Sequence, residues 1–168
     1  MGYIHDTSMS QFLPPTLFHC VTGTWTQTAG TVSGTISAHK AAAAETAVIN
    51  IPIQIPSNSV ALKGAFLKTI ELDYEITTIA ATSITASLNK VTRGADTSGL
   101  TVAAVTITQD LVAATTAASA AKHKLIITLT TPVWIDNDEY FLLKISAVCA
   151  LTTVLDLYSA VANFTERL

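Results

Sequence analysis

The sequence predicts an all-β protein, an antiparallel two-sheet sandwich of the jelly-roll kind with about eight or nine strands. Apolar and polar residues alternate with a period of two along most of the chain. Turn-forming residues interrupt this alternation roughly every 10–20 residues, as in sandwiches and barrels. No segment has a helical period over a convincing length, which excludes an α/β fold. A two-sheet sandwich with another strand order remains open.

The chain of 168 residues is short enough to form a single domain. We expect the domain to span residues 23–168 and residues 1–22 to form an extended N-terminal arm. Pro14 and Pro15 support the arm, because consecutive prolines hold the backbone extended and stop a helix. Such an arm either packs along its own domain or crosses to a neighbouring subunit.

The predicted strands cover residues 24–28, 31–37, 47–55, 66–76, 83–91, 101–108, 124–131, 139–148 and 152–164. The intervening segments are expected to be a loop or helical turn at 39–46, a loop or short helix at 111–122, and a corner at 132–138. Because proline cannot donate to a ladder, Pro52 predicts a sheet edge or a bulge in its strand.

The strand over 66–76 has the clearest pattern, with one buried and one acidic face. Its buried residues alternate with acidic ones: Ile70, Leu72, Tyr74 and Ile76 against Glu71, Asp73 and Glu75. Carboxylates two residues apart lie about 7 Å apart on the same strand face. We interpret them as a solvated or partner-facing stripe rather than a glycosidase pair.

The composition points toward assembly. Charged residues make up 12% of the chain, whereas an average domain has ~25%. The sequence contains 27 threonines and 25 alanines, so polarity comes from Thr more than from charge. A monomer normally needs surface charge for colloidal stability, so this composition predicts a surface largely covered by neighbouring subunits.

Several partners are not expected. The net charge is −3 and the nine Lys and Arg residues are dispersed, so no nucleic-acid interface is predicted. The chain has no uninterrupted apolar run of about 18 residues, so no membrane span is predicted. The first residues lack a basic and an apolar signal-peptide region, so synthesis in a host cytoplasm is expected. Cys20 and Cys149 form no disulfide framework.

No catalytic or cofactor motif is present, and we expect neither an enzyme nor a bound cofactor or metal. The four histidines lack the spacing of metal ligands. The corner at Asp136–Asp138 is interpreted as a turn before a strand, with weak calcium binding left open. Trp25 and Trp134 are too far apart in sequence to define a sugar-binding platform, and they are expected to anchor a core or an interface.

The segment Met1-Gly2-Tyr3-Ile4-His5-Asp6, the Thr- and Ala-rich strands and the low charge together resemble the virion structural proteins of tailed phages. The stretch from Leu129 to Phe141 is also similar to the late hairpin of jelly-roll domains, where a turn precedes the penultimate strand. As a fold, the resemblance covers residues 22–164, and no functional residue is carried over from it. It implies a small β-sandwich that coats, cements or builds a particle.

We therefore expect a non-enzymatic virion protein, a capsid decoration or cement protein that forms homo-oligomers and binds other capsid proteins. The chain lacks the basic arm with which many capsid-forming proteins hold the genome, which favours a position on the outer surface. The expected assembly contacts are Tyr3, Phe12, Pro14, Pro15, Phe18, Phe164 and Leu168. The alternatives are a single jelly-roll coat or fibre protein, and a carbohydrate- or ligand-binding module with its site at Trp134 and Asp136–Asp138.

Overall fold

The structure is a computed structural model that describes residues 6–30, 34–54, 65–94, 99–112, 116–136 and 138–167. These residues form twelve β-strands and one short 3-10 helix, η1 (Pro15–Leu17). The strands are β1 (Asp6–Leu13), β2 (His19–Thr22), β3 (Trp25–Ala29), β4 (Ile36–Lys40), β5 (Glu45–Ile53), β6 (Ala65–Thr77), β7 (Ser83–Arg93), β8 (Leu100–Val105), β9 (Ile107–Val112), β10 (Lys122–Ile135), β11 (Glu139–Cys149) and β12 (Val154–Arg167). Among these residues, no helix is long and apolar enough to cross a membrane.

The strands form two antiparallel sheets, which confirms the predicted all-β sandwich. The seven-stranded sheet has the order β3-β4-β12-β6-β10-β9, with β1 also paired to β12. The five-stranded sheet has the order β2-β5-β11-β7-β8. Within them, β1-β12-β6-β10 and β5-β11-β7-β8 have the strand order of a jelly roll, whose chain crosses repeatedly between the sheets.

The predicted N-terminal arm packs along its own domain. Residues 6–13 form β1, which pairs with β12 from Asp6↔Arg167 to Leu13↔Ala160. After η1, β2 pairs with β5 in the other sheet. The arm therefore contributes one strand to each sheet, and these two strands explain part of the excess over the predicted eight or nine.

The centre of the sandwich matches the sequence pattern closely. The strands predicted over 66–76, 83–91 and 139–148 are present within two residues at each end. In β6 the residues predicted to face inward are buried, because β6 lies between β12 and β10 with the second sheet against one face. Their side chains pack with those of β5, β11 and β12 in one hydrophobic core.

The strand that contains Pro52 lies inside a sheet but has an open side at the proline. The β5 residues Ala47, Ile49, Ile51 and Ile53 are buried, as the alternation predicts, whereas Ile55 lies outside the described residues. The pairing of β2 with β5 ends at His19↔Asn50, so near Pro52 only β11 pairs with β5. The predicted sheet edge at Pro52 is thus local.

The prediction of a single strand over 101–108 is wrong in one respect, because the chain passes from one sheet to the other within this segment. β8 pairs with β7 in one sheet, and β9 pairs with β10 in the other. Thr106 lies at the crossing, where its carbonyl accepts a hydrogen bond from the Thr130 N–H at 3.1 Å. The predicted loop or short helix at 111–122 contains the end of β9 and turns, with no helix among its described residues.

The boundaries of three other predicted segments are also displaced. The segment predicted as a loop at 39–46 contains the end of β4 and the start of β5, and the strand predicted over 31–37 begins at Ile36 in the described residues. Residues 31–33 lie outside them. The predicted corner at 132–138 begins later, because β10 continues to Ile135 through a bulge between Thr128 and Val133.

Candidate interaction surfaces

Strand β8 forms an open edge of the five-stranded sheet. It pairs with β7 on one side, and no strand of the described residues pairs with its other side. Residues 100–104 are all exposed, with Leu100 at 62% and Val102 at 64%. The strand contains no charged residue and no proline, the devices by which soluble proteins usually protect such an edge.

Two further edges share this lack of charge. β2 ends the five-stranded sheet and β3 ends the seven-stranded sheet, and neither contains Lys, Arg, Asp or Glu. All side chains of β2 and most of those of β3 are exposed. At the other end of the seven-stranded sheet, β9 contains a single acidic residue, Asp110, and no basic residue. The sandwich therefore presents edges of low charge at both ends of each sheet.

A cleft of about 400 Å³ lies where β1 and β4 meet the same side of β12. β4 pairs with residues 155–157 and β1 with residues 160–167, so the cleft lies beside the short stretch of β12 between these two pairings. The lining of the cleft combines apolar and polar residues, from the exposed Phe12 and Ile36 to the buried Tyr74 and His123: Phe12, Thr35, Ile36, Asp73, Tyr74, Lys122, His123, Tyr158 and Ser159. This combination suits an amphipathic ligand.

The acidic stripe of β6 is bonded to the neighbouring strands. The Glu71 carboxylate accepts hydrogen bonds from Lys124 Nζ at 3.0 Å and from Asn163 Nδ2 at 3.2 Å. Asp73 accepts one from Ser159 Oγ at 3.0 Å, and Glu75 accepts one from the Tyr158 hydroxyl at 2.5 Å. The stripe thus ties β6 to β10 and β12, and its carboxylates are only half-exposed.

The corner after β10 is organised by Glu139. Its carboxylate lies 2.7 Å from Lys90 Nζ and accepts hydrogen bonds from the Asp136 N–H at 2.9 Å and from Thr92 Oγ1 at 3.0 Å. Burial acts to raise the pKa of Glu139, but the hydrogen bonds and the charge of Lys90 outweigh it and hold this pKa below its ordinary value.

The side chain of Trp134 packs against the protein at the same corner. Its ring contacts Phe66 edge-on, with the centroids 4.7 Å apart, and its carbonyl accepts a hydrogen bond from Lys90 Nζ at 2.8 Å. The other tryptophan, Trp25, is half-buried and packs against the core. Asn137, in the middle of the corner, lies outside the described residues.

Replacing Glu139 with Gln should make stability less sensitive to acid. The lowered pKa means that the native state favours the carboxylate, so its contribution is present above the ordinary pKa of about 4.3 and is lost as pH falls through the native value. At pH 7 we expect Glu139→Gln to lose about 1–3 kcal/mol of stability, because the half-buried Lys90 loses its carboxylate partner and the Asp136 N–H loses a charged acceptor. Urea unfolding at pH 7 and pH 3 measures both values.

The difference between wild type and Glu139→Gln should shrink toward zero at the lower pH. Glu71→Gln is the matched control, because the pKa of Glu71 is also lowered, by hydrogen bonds from Lys124 and Asn163. Its partner Lys124 is far more exposed than Lys90, so its loss should be smaller and sensitive to salt. A pH-independent effect of Glu139→Gln would contradict the role given to this carboxylate.

A fully buried lysine lies at the opposite end of the sandwich. Lys40 has no exposed surface, and its Nζ donates to the carbonyls of Ala43 at 2.7 Å and Thr153 at 3.2 Å. Glu45 Oε1 lies 3.7 Å from this ammonium and accepts hydrogen bonds from the N–H and hydroxyl of Thr24, both at 2.8 Å. The backbone hydrogen bond from Thr24 is the main reason that the pKa of Glu45 is lowered.

The structure corrects the placement of several predicted assembly contacts. Pro15, Phe18 and Phe164 are buried within this chain, since η1 and β12 pack against the core. Pro14 is half-buried, and only Phe12 is strongly exposed, at 62%. Tyr3 and Leu168 lie outside the described residues. The open edge at β8 was missed, because alternation does not show which strand ends a sheet.

Among the described residues, no three His, Cys, Asp or Glu side chains are grouped so that they could hold a metal ion. Of the cysteines, Cys20 is exposed and Cys149 is buried, and both are free. Burial raises the pKa of the Cys149 thiol.

No protein-family model matches the chain, and no curated protein matches it either. Among solved structures, it is similar to an arabinose-bound MgGH51 α-L-arabinofuranosidase, with a TM-score of 0.44 and 10% identity over 88% of this chain. This chain spans 23% of the length of that enzyme. A similarity of this size carries no argument about function.

Proposed function

We propose that this chain is a non-enzymatic structural protein of a virus particle, a decoration or cement protein of the capsid that associates with copies of itself. It would reside in the virion after synthesis in the host cytoplasm. A coat or fibre protein built on the same sandwich would use the same kind of contact. The observation that carries the proposal is the open, uncharged edge at β8.

The proposal has physical support beyond that edge. An edge strand offers unpaired backbone N–H and C=O groups, and a protein that works as a monomer normally blocks them with charge or proline. Here β2, β3 and β8 have neither, in a chain with only 12% charged residues. Repeated association through such edges is how a small sandwich covers or joins a larger lattice.

The native mass in solution tests self-association. Light scattering over a concentration series, with negative-stain images of the same samples, should show closed oligomers, rings or larger assemblies with a defined symmetry. A mass of 17.7 kDa up to the highest soluble concentration would contradict the self-association that we propose.

A deletion that tests the expected N-terminal assembly contact must be shorter than the arm predicted from sequence. Removing residues 1–20 would delete β1 and buried side chains such as Leu13 and Phe18, so the fold itself would suffer. Removing residues 1–5 leaves every described strand in place. If Tyr3 belongs to an assembly contact, this deletion weakens association without changing the urea midpoint. An unchanged mass would remove Tyr3 from the contact.

A ligand-binding module is the second candidate, and the cleft beside β12 favours it. Phe12 and Tyr158 offer aromatic surface there, while Asp73, Lys122 and Ser159 offer hydrogen-bond acceptors and donors. A carbohydrate presents both apolar ring faces and hydroxyl groups, so its chemistry suits this lining.

A glycan array with the wild-type protein and a Phe12→Ala variant tests this candidate. Binding that Phe12→Ala abolishes would support the module. Leu151→Ala is the control, since Leu151 is also exposed but does not line the cleft. An array without any signal, or binding that survives Phe12→Ala, would exclude the cleft as a carbohydrate site.

A further inference from the structure

We infer that two copies of this chain pair antiparallel through β8 across a two-fold axis, which joins their five-stranded sheets into one continuous sheet. The inference rests on the proposed self-association and names the strand that carries it. The occupant of the edge is thus a second copy of β8, with Val102 of each copy facing Val102 of the other.

The backbone of β8 determines what kind of partner can cover it. In an antiparallel pair, alternate residues direct their N–H and C=O groups toward the partner strand. Since β7 pairs with one side, half of the six β8 residues direct these groups to the open side. An apolar side chain or a helix cannot satisfy a row of such groups, whereas another extended strand can.

The side chains of β8 make it complementary to itself. When an antiparallel copy pairs with β8, no like charges face each other across the pair, because β8 contains no charged residue. In the register centred on Val102, Leu100 of each copy lies opposite Ala104 of the other. Ala104 has a small side chain, so the large Leu100 side chain of the other copy meets no bulky residue opposite it.

The exposure of the strand supports the same partner. Residues on both faces of β8 are exposed, so the strand lies beyond the cover that the other sheet provides. A second β8 would shield side chains on both faces at once, including Leu100 and Val102 on one of them. A two-fold axis makes every contact occur twice. Because each β8 edge is then covered by the other, association through this edge ends at two copies.

Cysteine substitution tests the register directly. In a Cys20→Ser background, which removes the exposed native thiol, Val102→Cys should form a covalent dimer under mild oxidation. Opposed residues in an antiparallel pair have Cα atoms about 4.5–5.5 Å apart, within the range of a disulfide. Leu100→Cys is the matched control, because two residues from the axis on each strand separate its thiols by about 14 Å.

A charge variant tests the same edge without covalent chemistry. Val102→Lys places two ammonium groups opposite each other, so the dimer should weaken about tenfold or more, measured by sedimentation equilibrium. Val148→Lys is the control, because Val148 is exposed on β11 in the interior of the same sheet. Its dissociation constant should stay near that of the wild type, and both variants should keep a β-sheet circular-dichroism spectrum.

The outcomes separate this inference from the proposed function. An assembled protein in which Val102→Cys does not cross-link and Val102→Lys keeps the wild-type mass would overturn the β8 interface and leave self-association intact. A wild type that is monomeric throughout would overturn both. Efficient cross-linking at position 100 but not at 102 would overturn the register on which the inference depends.

Discussion

Replacing Phe164 with Ala should destabilise the protein by about 3–5 kcal/mol, the usual loss for a buried phenylalanine. Phe164 is 2% exposed, and its Cα neighbours are Met9 on β1 and Leu67 on β6. The substitution leaves a cavity in the middle of the seven-stranded sheet, where β12 is held on both sides and the walls cannot collapse. Urea unfolding monitored by circular dichroism measures the loss.

Phe12→Ala is the matched control for this prediction. It removes the same atoms from β1, at a side chain that is 62% exposed, so stability should change by no more than about 0.5 kcal/mol. The pair of variants separates a core residue from a surface residue of the same type. Equal losses in the two variants would show that β12 does not occupy the centre of the sheet.

Replacing Lys40 with Ala should destabilise the protein by about 3 kcal/mol or more, since it removes a buried ammonium group and leaves the groups that it binds unsatisfied. The carbonyls of Ala43 and Thr153 lose their charged donor, and Glu45 loses its nearest cation. The long side chain also leaves a cavity at a fully buried position. The urea midpoint at pH 7 is the measurement.

The double variant Lys40→Met with Glu45→Gln should recover much of that loss. Methionine refills the volume, and glutamine keeps an oxygen for the N–H and hydroxyl of Thr24 without an unpaired charge. A double-mutant cycle through the single variants gives the coupling between the two side chains. Coupling near zero, or a loss below about 1 kcal/mol in Lys40→Ala, would contradict the role of this buried charge.

The sequence contains the information for the core but little about the edges. The alternation in β6 predicts its buried and polar faces correctly, because a period of two has a direct meaning for a strand with one covered face. Threonine and apolar residues occur on both sides of Thr106, where the chain passes from one sheet to the other, so the composition does not mark the crossing. Periodicity describes the faces of a strand and gives no information about its sheet.

The candidate surfaces were harder to predict for a related reason. The cleft brings together residues of β1, β4, β6, β10 and β12, which are far apart in sequence and follow no local pattern. β1 was expected to be an arm because its residues are mostly polar, and among residues 7–13 only Leu13 is fully buried in the core. Phe164 was expected at a surface because it lies near the end of the sequence, yet β12 is a central strand.

The position of β12 has a consequence for how the chain folds. β12 is the last of the twelve strands to leave the ribosome, and it lies between β6 on one side and β1 and β4 on the other. Until residues 154–167 emerge, β1 and β4 lack the strand that joins them to the rest of their sheet. The five-stranded sheet can form from earlier residues. We therefore expect the nascent chain to form this sheet first and to complete the seven-stranded sheet only when β12 has been synthesised.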